Sequence, residues 1–148
     1  MHILIATDGS QQSLKAAQFL GTLVNPKNIK RVTVVAVIRP LAAVPFASDF
    51  SEEEAVGAGE SGMTLSFRRE AQAATQRVAE VLGESAAEVT TIIRSGSPAD
   101  EIIRAADELS ADLIVVGGRG KGTIGAIFMG SVAYRILHHA PCPVLVTR

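Results

Sequence analysis

The sequence predicts a single α/β domain built on an open parallel sheet. Three observations carry that expectation. Strand-like apolar runs alternate with helical patterns along most of the chain. The strand runs are continuous and rich in β-branched residues, as in strands buried on both faces. The 148 residues match the commonest size of one domain, so we expect one domain spanning 1–148. Charged residues make up 20% of the chain and hydrophobic ones 47%, an ordinary globular composition. A net charge of −1 argues against a nucleic-acid partner held by a broad basic field. The lone cysteine, Cys142, excludes an internal disulfide framework and fits a reducing, cytoplasmic setting. The first apolar run is only about five residues long and has no basic flank, too short for a signal-peptide core or a membrane span. No later stretch reaches membrane length, so no membrane partner is expected.

The elements follow in order. Residues 2–7 read as the first strand. Ser10 is placed to cap a helix whose stripe is Leu14, Ala17, Leu20 and Val24, closed by Asn25-Pro26. Residues 32–38 are the second strand, stopped by Pro40. Residues 40–62 break the pattern with Pro45, three glycines and the acidic run Glu52 to Glu54, and read as a variable loop or lid. Phe67, Ala71, Ala74, Val78 and Val81 then repeat at helical spacing. Residues 89–93 are the third strand. Ser97-Pro98 opens a helix, with serine as cap and proline at its first position, and Ile102, Ile103, Ala106 and Leu109 as its buried face. Residues 113–116 are the fourth strand, 131–139 the last helix and 144–147 the fifth strand. Ligands of such sheets bind beyond the carboxyl ends of the strands, at the switch in strand order. Two of those ends carry unusual residues: Thr7-Asp8-Gly9-Ser10, and the glycine-rich GGRGKGTIGAIFMGS at 117–131.

That glycine density asks for a reason, since glycine costs backbone entropy. A P-loop pattern fails at both ends, with Val115 in place of its first glycine and Gly122 after Gly120-Lys121. Gly120, Gly122 and Gly125 match the dinucleotide GxGxxG pattern literally. The acidic residue that should follow about 20 positions later, at the end of a further strand, has no counterpart before the chain ends at Arg148. A third reading divides the glycines between the two ends of a loop. Gly117 and Gly120 follow the strand, while Gly130-Ser131 opens the last helix, whose N-terminus offers N–H groups and partial positive charge to phosphate. Arg119 and Lys121 can add charge to phosphate oxygens.

Here the sequence resembles the universal stress proteins. The spacing Gly117-x2-Gly120-x9-Gly130-Ser131 is that family's nucleotide-binding signature. The opening ILIATDGSQQSLKAA, the block GSPADEII and the ending GSVAYRILHHAPCPVLVTR resemble it as well, and only residues 40–62 match poorly. The resemblance implies a five-stranded parallel sheet, order 3-2-1-4-5, with two helices on each face. It further implies a regulatory module of the stress response that binds ATP, with AMP or ADP as alternatives, and Mg²⁺ held through the phosphates. In site terms it implies that Ala6, Thr7 and Asp8 border the adenosine and that the Val37 backbone meets the adenine edge. Val116 and Gly117 end the fourth strand at the ligand, Arg119 and Gly120 lie along the phosphates, and Gly130, Ser131, Val132 and Ala133 cradle them. Position 6 is often proline in relatives and position 133 often threonine or serine, so Ala133 lacks one hydroxyl contact. Asp8 accepts but cannot donate when ionised, which suits a ribose hydroxyl, the adenine amino group or a metal on the phosphates. Family members commonly dimerise through the last strand, so a homodimer through residues 143–148 is expected, with an exposed strand edge as its physical basis.

No residues are assigned to catalysis, because no Ser/His/Asp set and no metal cluster is evident from spacing. A slow ATPase or phosphotransferase using Asp8 or a residue of the 40–62 segment to orient water, and a dimeric interaction protein that binds no nucleotide, stay as alternatives. Cys142 reads as a small buried hydrophobe. His138 and His139 read as cations at a helix C-terminus, and His2 has no evident partner.

Overall fold

β1 (His2–Ala6) lies at the centre of a parallel five-stranded sheet in the computed structural model, which describes residues 1–23, 25–39, 62–83, 88–118 and 129–147. The strand order is β3-β2-β1-β4-β5. β1 pairs with β2 (Arg31–Ile38) on one side and β4 (Leu113–Gly117) on the other, Ile5 standing between Val34 and Val115. β3 (Val89–Ser95) and β5 (Val144–Thr147) are the edges. The chain order therefore reverses between β1 and β4, which is where such sheets open a crevice.

Four helices cover the sheet. α1 (Gln11–Leu23) and α2 (Gly62–Leu82) pack on one face, where Ala16, Ala17, Leu20, Val78 and Leu82 bury against Ile3, Ile5, Val34 and Val115. α3 (Pro98–Glu108) and α4 (Ser131–His139) cover the other, where Ile102, Ala105, Ala106, Ala133 and Ile136 meet Leu4, Val35, Ile114 and Val116. Leu4, Ile5, Ile114 and Val115 are wholly buried, which is why these strands read as unbroken apolar runs.

Several boundaries and faces differ from the sequence reading. β1 stops at Ala6 rather than residue 7, because Gly9 at φ 76° turns the chain into α1. β2 begins one residue early, since Arg31 pairs with His2. β3 runs on to Ser95 despite its polar end, because β2 still offers Val37 and Ile38 as register partners for Arg94 and Ser95. Gly62, expected in the loop, opens α2 instead, and residues 40–61 lie outside the described residues. Val24, the end of the expected α1 stripe, also lies outside them. Phe67 and Val81 are exposed, and the buried face of α2 is Ala74, Thr75, Val78 and Leu82. On α3 the buried face includes Ala99, Glu101 and Ala105, whereas Ile103 and Leu109 are only partly buried.

His2 also departs from expectation. Its Nδ1 donates to the Leu109 carbonyl (3.2 Å), so its Nε2 accepts from the Thr33 hydroxyl (2.8 Å) in the neutral ring. Thr33 in turn meets Thr90 at 3.1 Å, and this chain ties β1, β2 and β3 at the amino end of the sheet. Cys142 is half-buried rather than buried, and packs with the α3–α4 side of the core. Burial, with the Asp112 charge nearby, pushes its thiol pKa up, which keeps it protonated and unreactive. His138 and His139 do lie in the last turn of α4, where Nδ1 of His138 is 2.9 Å from the Tyr134 carbonyl.

Candidate functional site

At the carboxyl end of β1, short polar side chains build a rigid corner. The Thr7 hydroxyl lies 2.8 Å from that of Ser13 and accepts the Gly9 N–H at 3.1 Å. The Asp8 carboxylate accepts the Ser10 N–H (3.0 Å), an Asx turn, and Ser10 Oγ accepts the Ser13 N–H (3.3 Å), capping α1 as expected. Thr7 is buried, its hydroxyl is committed to this corner and its N–H donates to the Val35 carbonyl (2.9 Å). The carboxylate of Asp8 is exposed.

A cleft of about 410 Å³ opens beside this corner. Thr7, Asp8 and Val37 line its strand side, and Phe67, Ala71 and Ala74 of α2 its helix side. Its size falls in the range of small-molecule sites, roughly 300–1,000 Å³. It exists because α2 presents alanine at 71 and 74, where larger side chains would fill the gap.

The other half of the site lies across the switch point, at the ends of β4 and β5. The Gly118 N–H donates to Thr147 O (2.6 Å), and the Gly130 N–H donates to Gly118 O (2.7 Å). One glycine thus fastens the end of β4 both to β5 and to the start of α4. Gly130 is the N-cap of α4, with φ −64° and ψ 146°, and makes no side-chain cap; the first helical bond runs from the Tyr134 N–H to Gly130 O (2.9 Å). The helix itself supplies no acceptor for the N–H groups of Ser131, Val132 and Ala133. These three N–H groups and the positive end of the α4 dipole have the chemistry that suits an anion.

The sequence-derived residues thus fall into two groups. Ala6, Thr7, Asp8 and Val37 gather at the ends of β1 and β2, and Val116, Gly117, Gly130, Ser131, Val132 and Ala133 at the end of β4 and the start of α4. Arg119 and Gly120 lie outside the described residues. The side chains of Val116, Val132 and Ala133 pack in the core, so any ligand contact from them is through the backbone. Gly117 has a packing reason of its own: a Cβ there would lie 3.2 Å from the Gln12 carbonyl carbon and 3.3 Å from the Ser13 nitrogen. Glycine at 117 lets α1 sit close against the sheet. Among the described residues, the buried side-chain polar atoms that lack a partner are Gln12 Oε1 and Thr147 Oγ1, and both residues flank Gly117. Unspent hydrogen-bonding capacity at this end of the sheet fits a polar occupant.

Gly96 adjoins the cleft, its N–H donating to the carbonyl of Ile38 (2.9 Å), which lines it. Gly96 has φ 149°, and a Cβ there would lie 2.9 Å from Cγ of the buried Glu101. Its role is the close approach of α3. Ser97 is the N-cap of α3 and Pro98 its first residue, but the serine hydroxyl makes no capping bond, contrary to the expectation. Among the described residues no group of three or more His, Cys, Asp or Glu side chains could hold a metal ion, and no helix is long and apolar enough to cross a membrane.

Gly118 was the residue that sequence reasoning missed. It sits at a free position of the motif, and no spacing rule marks a glycine whose backbone makes both bonds. Phe67 was misplaced for a related reason: its helical stripe is real, but the outer turns of α2 run past the core.

A model of the universal stress protein family matches residues 1–148. A universal stress protein of Methanocaldococcus jannaschii is 33% identical over 147 residues, covering 99% of this chain and 81% of that protein. A solved universal stress protein in complex with cAMP superposes with a TM-score of 0.65 at 23% identity, covering 100% of this chain and 96% of the other. Another, from Archaeoglobus fulgidus in complex with dAMP, gives 0.61 at 22% identity, covering 100% and 98%. At these identities the two structures establish the fold alone.

Proposed function

The chain belongs to the universal stress protein family, and from that premise we propose that it binds ATP as a nucleotide-responsive regulatory module of the stress response. The observation that carries this is the Gly118–Gly130 bond. It holds the N-terminus of α4 at the end of β4, next to β1 in the sheet, so the N–H groups offered to an anion and the cleft at the ends of β1 and β2 lie along the same, carboxyl edge of the sheet. Adenosine occupies the cleft, with Asp8 on a ribose hydroxyl or the adenine amino group and the Val37 backbone along the base. The phosphates extend to the N–H groups of Ser131, Val132 and Ala133. Mg²⁺ would be held through the phosphates, keeping most of its waters, with the exposed Asp8 carboxylate an acceptor of suitable chemistry.

The two nucleotide-bound relatives support the base assignment. cAMP has no free 3′-hydroxyl and dAMP has no 2′-hydroxyl, so those ligands share adenine, the sugar ring and the 5′-phosphorus. Calorimetry with ATP, ADP and AMP tests the reading: affinity should rise with phosphate number, as the cradle gains charge to hold. Equal affinity for all three would restrict the site to a nucleoside monophosphate, and no binding would leave the dimeric interaction protein.

The proposal includes a homodimer through residues 143–148. β5 is an edge strand with unpaired backbone groups. On α4, Tyr134 and Leu137 are 57% and 46% exposed on the flank turned away from Arg135, which pairs with Asp100 of α3. That flank extends the β5 edge with apolar surface. Sedimentation at micromolar concentration should give a dimer, and a monomer would overturn this part.

A further inference from the structure

We infer that α2 is the base-recognition element of the site, with Phe67 as the ring against which adenine stacks. The inference rests on the nucleotide reading above and extends it to an element outside the glycine signature. α2 has 21 residues, about 31 Å of helix. β2 beneath it has 8, about 26 Å of strand. Among the described side chains of α2, from 65 on, the buried ones fall at 74 and beyond, so residues 65–70 stand past the carboxyl end of the sheet, over the cleft. Phe67, Ala71 and Ala74 follow one another at spacings of four and three and share one face. All three line the cleft. The two alanines leave a slot, and Phe67 is a wall of that slot while remaining 39% exposed.

An aromatic ring left half in water beside an apolar slot is a stacking platform for another flat ring. The opposite, strand side is Val37 and Ile38 with Asp8 and Thr7, and the charged Arg39 and Glu70 also line the cleft. The lining therefore combines mainly apolar side chains with a few polar and charged ones, the make-up that suits a flat ring with polar edges. The ring takes the base and the α4 cradle takes the phosphates, so selection for base and for charge are separable.

The chain has no tryptophan, which gives a direct test. In Phe67→Trp, the introduced indole is a sole reporter at the proposed contact. Its emission should be quenched saturably by ATP, and also by adenosine, which lacks phosphates. In Phe67→Ala, calorimetry should show ATP affinity reduced roughly 5- to 150-fold, the range of one lost base–aromatic stack. Melting temperature should stay near wild type because the side chain is already exposed, and inorganic triphosphate should bind both proteins equally. Wild-type ATP affinity in Phe67→Ala, or unquenched emission from Phe67→Trp during a titration that calorimetry shows to saturate, would overturn the inference while leaving the nucleotide reading intact. Failure of the wild-type protein to bind ATP would overturn both.

Discussion

Gly130→Val will abolish ATP binding while leaving the fold in place. Gly130 caps α4 at φ −64° and ψ 146°, a region that valine adopts without strain, so the substitution is not a backbone defect. Its N–H still donates to Gly118 O, because a side chain does not remove a backbone donor. What changes is the space in front of the helix N-terminus, where a branched side chain stands between the anion and the N–H groups of Ser131, Val132 and Ala133. Several charge-assisted hydrogen bonds are lost together, each worth about 1.5–3 kcal/mol. We expect at least a hundredfold loss of ATP affinity by calorimetry, with the circular dichroism spectrum and oligomeric state of wild type. Retained affinity would mean that the phosphates lie elsewhere.

Gly117→Ala will act on stability instead. The added methyl meets the Gln12 backbone carbon at 3.2 Å and the Ser13 nitrogen at 3.3 Å. Those atoms belong to the first turn of α1, which is fixed by the Ser10 cap and by the Thr7–Ser13 hydroxyl pair, so they cannot swing aside as a side chain could. Overpacking of this kind costs about 1–3 kcal/mol. For a chain of this size each kcal/mol lowers the melting temperature by roughly 2–4 °C. A drop of several degrees in the nucleotide-free protein is the expected result. An unchanged melting temperature would show that α1 moves freely over the sheet, and that Gly117 is a glycine for the ligand alone.

These two glycines show what the sequence could and could not disclose. The fold was legible because buried parallel strands leave unbroken apolar runs such as 113–116, and because helix-start chemistry such as Ser10 is local. Thr7 and Asp8 were legible as an unusual strand end, since parallel topology brings strand ends together, whereas Ala6 and Val37 came only from the family resemblance. What stayed hidden depends on distance between elements far apart in the chain. Gly117 follows from how closely α1 approaches β4, and Gly118 from two backbone bonds to residues 12 and 29 positions on. Thr7 lines the cleft, but its hydroxyl is spent on Ser13, a pairing that no motif announces. His2 found partners in Leu109 and Thr33 for the same reason. Phe67 belongs to the apolar repeat of α2 and is nonetheless exposed, because periodicity reports a face and not where the helix outruns the sheet.

The central claim is that the crevice between β1 and β4 holds an adenine nucleotide by its phosphates. Mass spectrometry of the small molecules released when the purified protein is denatured tests it most directly. The account predicts ATP, with ADP from its breakdown, in near-stoichiometric amount from the wild type and none from Gly130→Val. An empty wild-type protein that also binds no added ATP, or a bound molecule without phosphate, would contradict it.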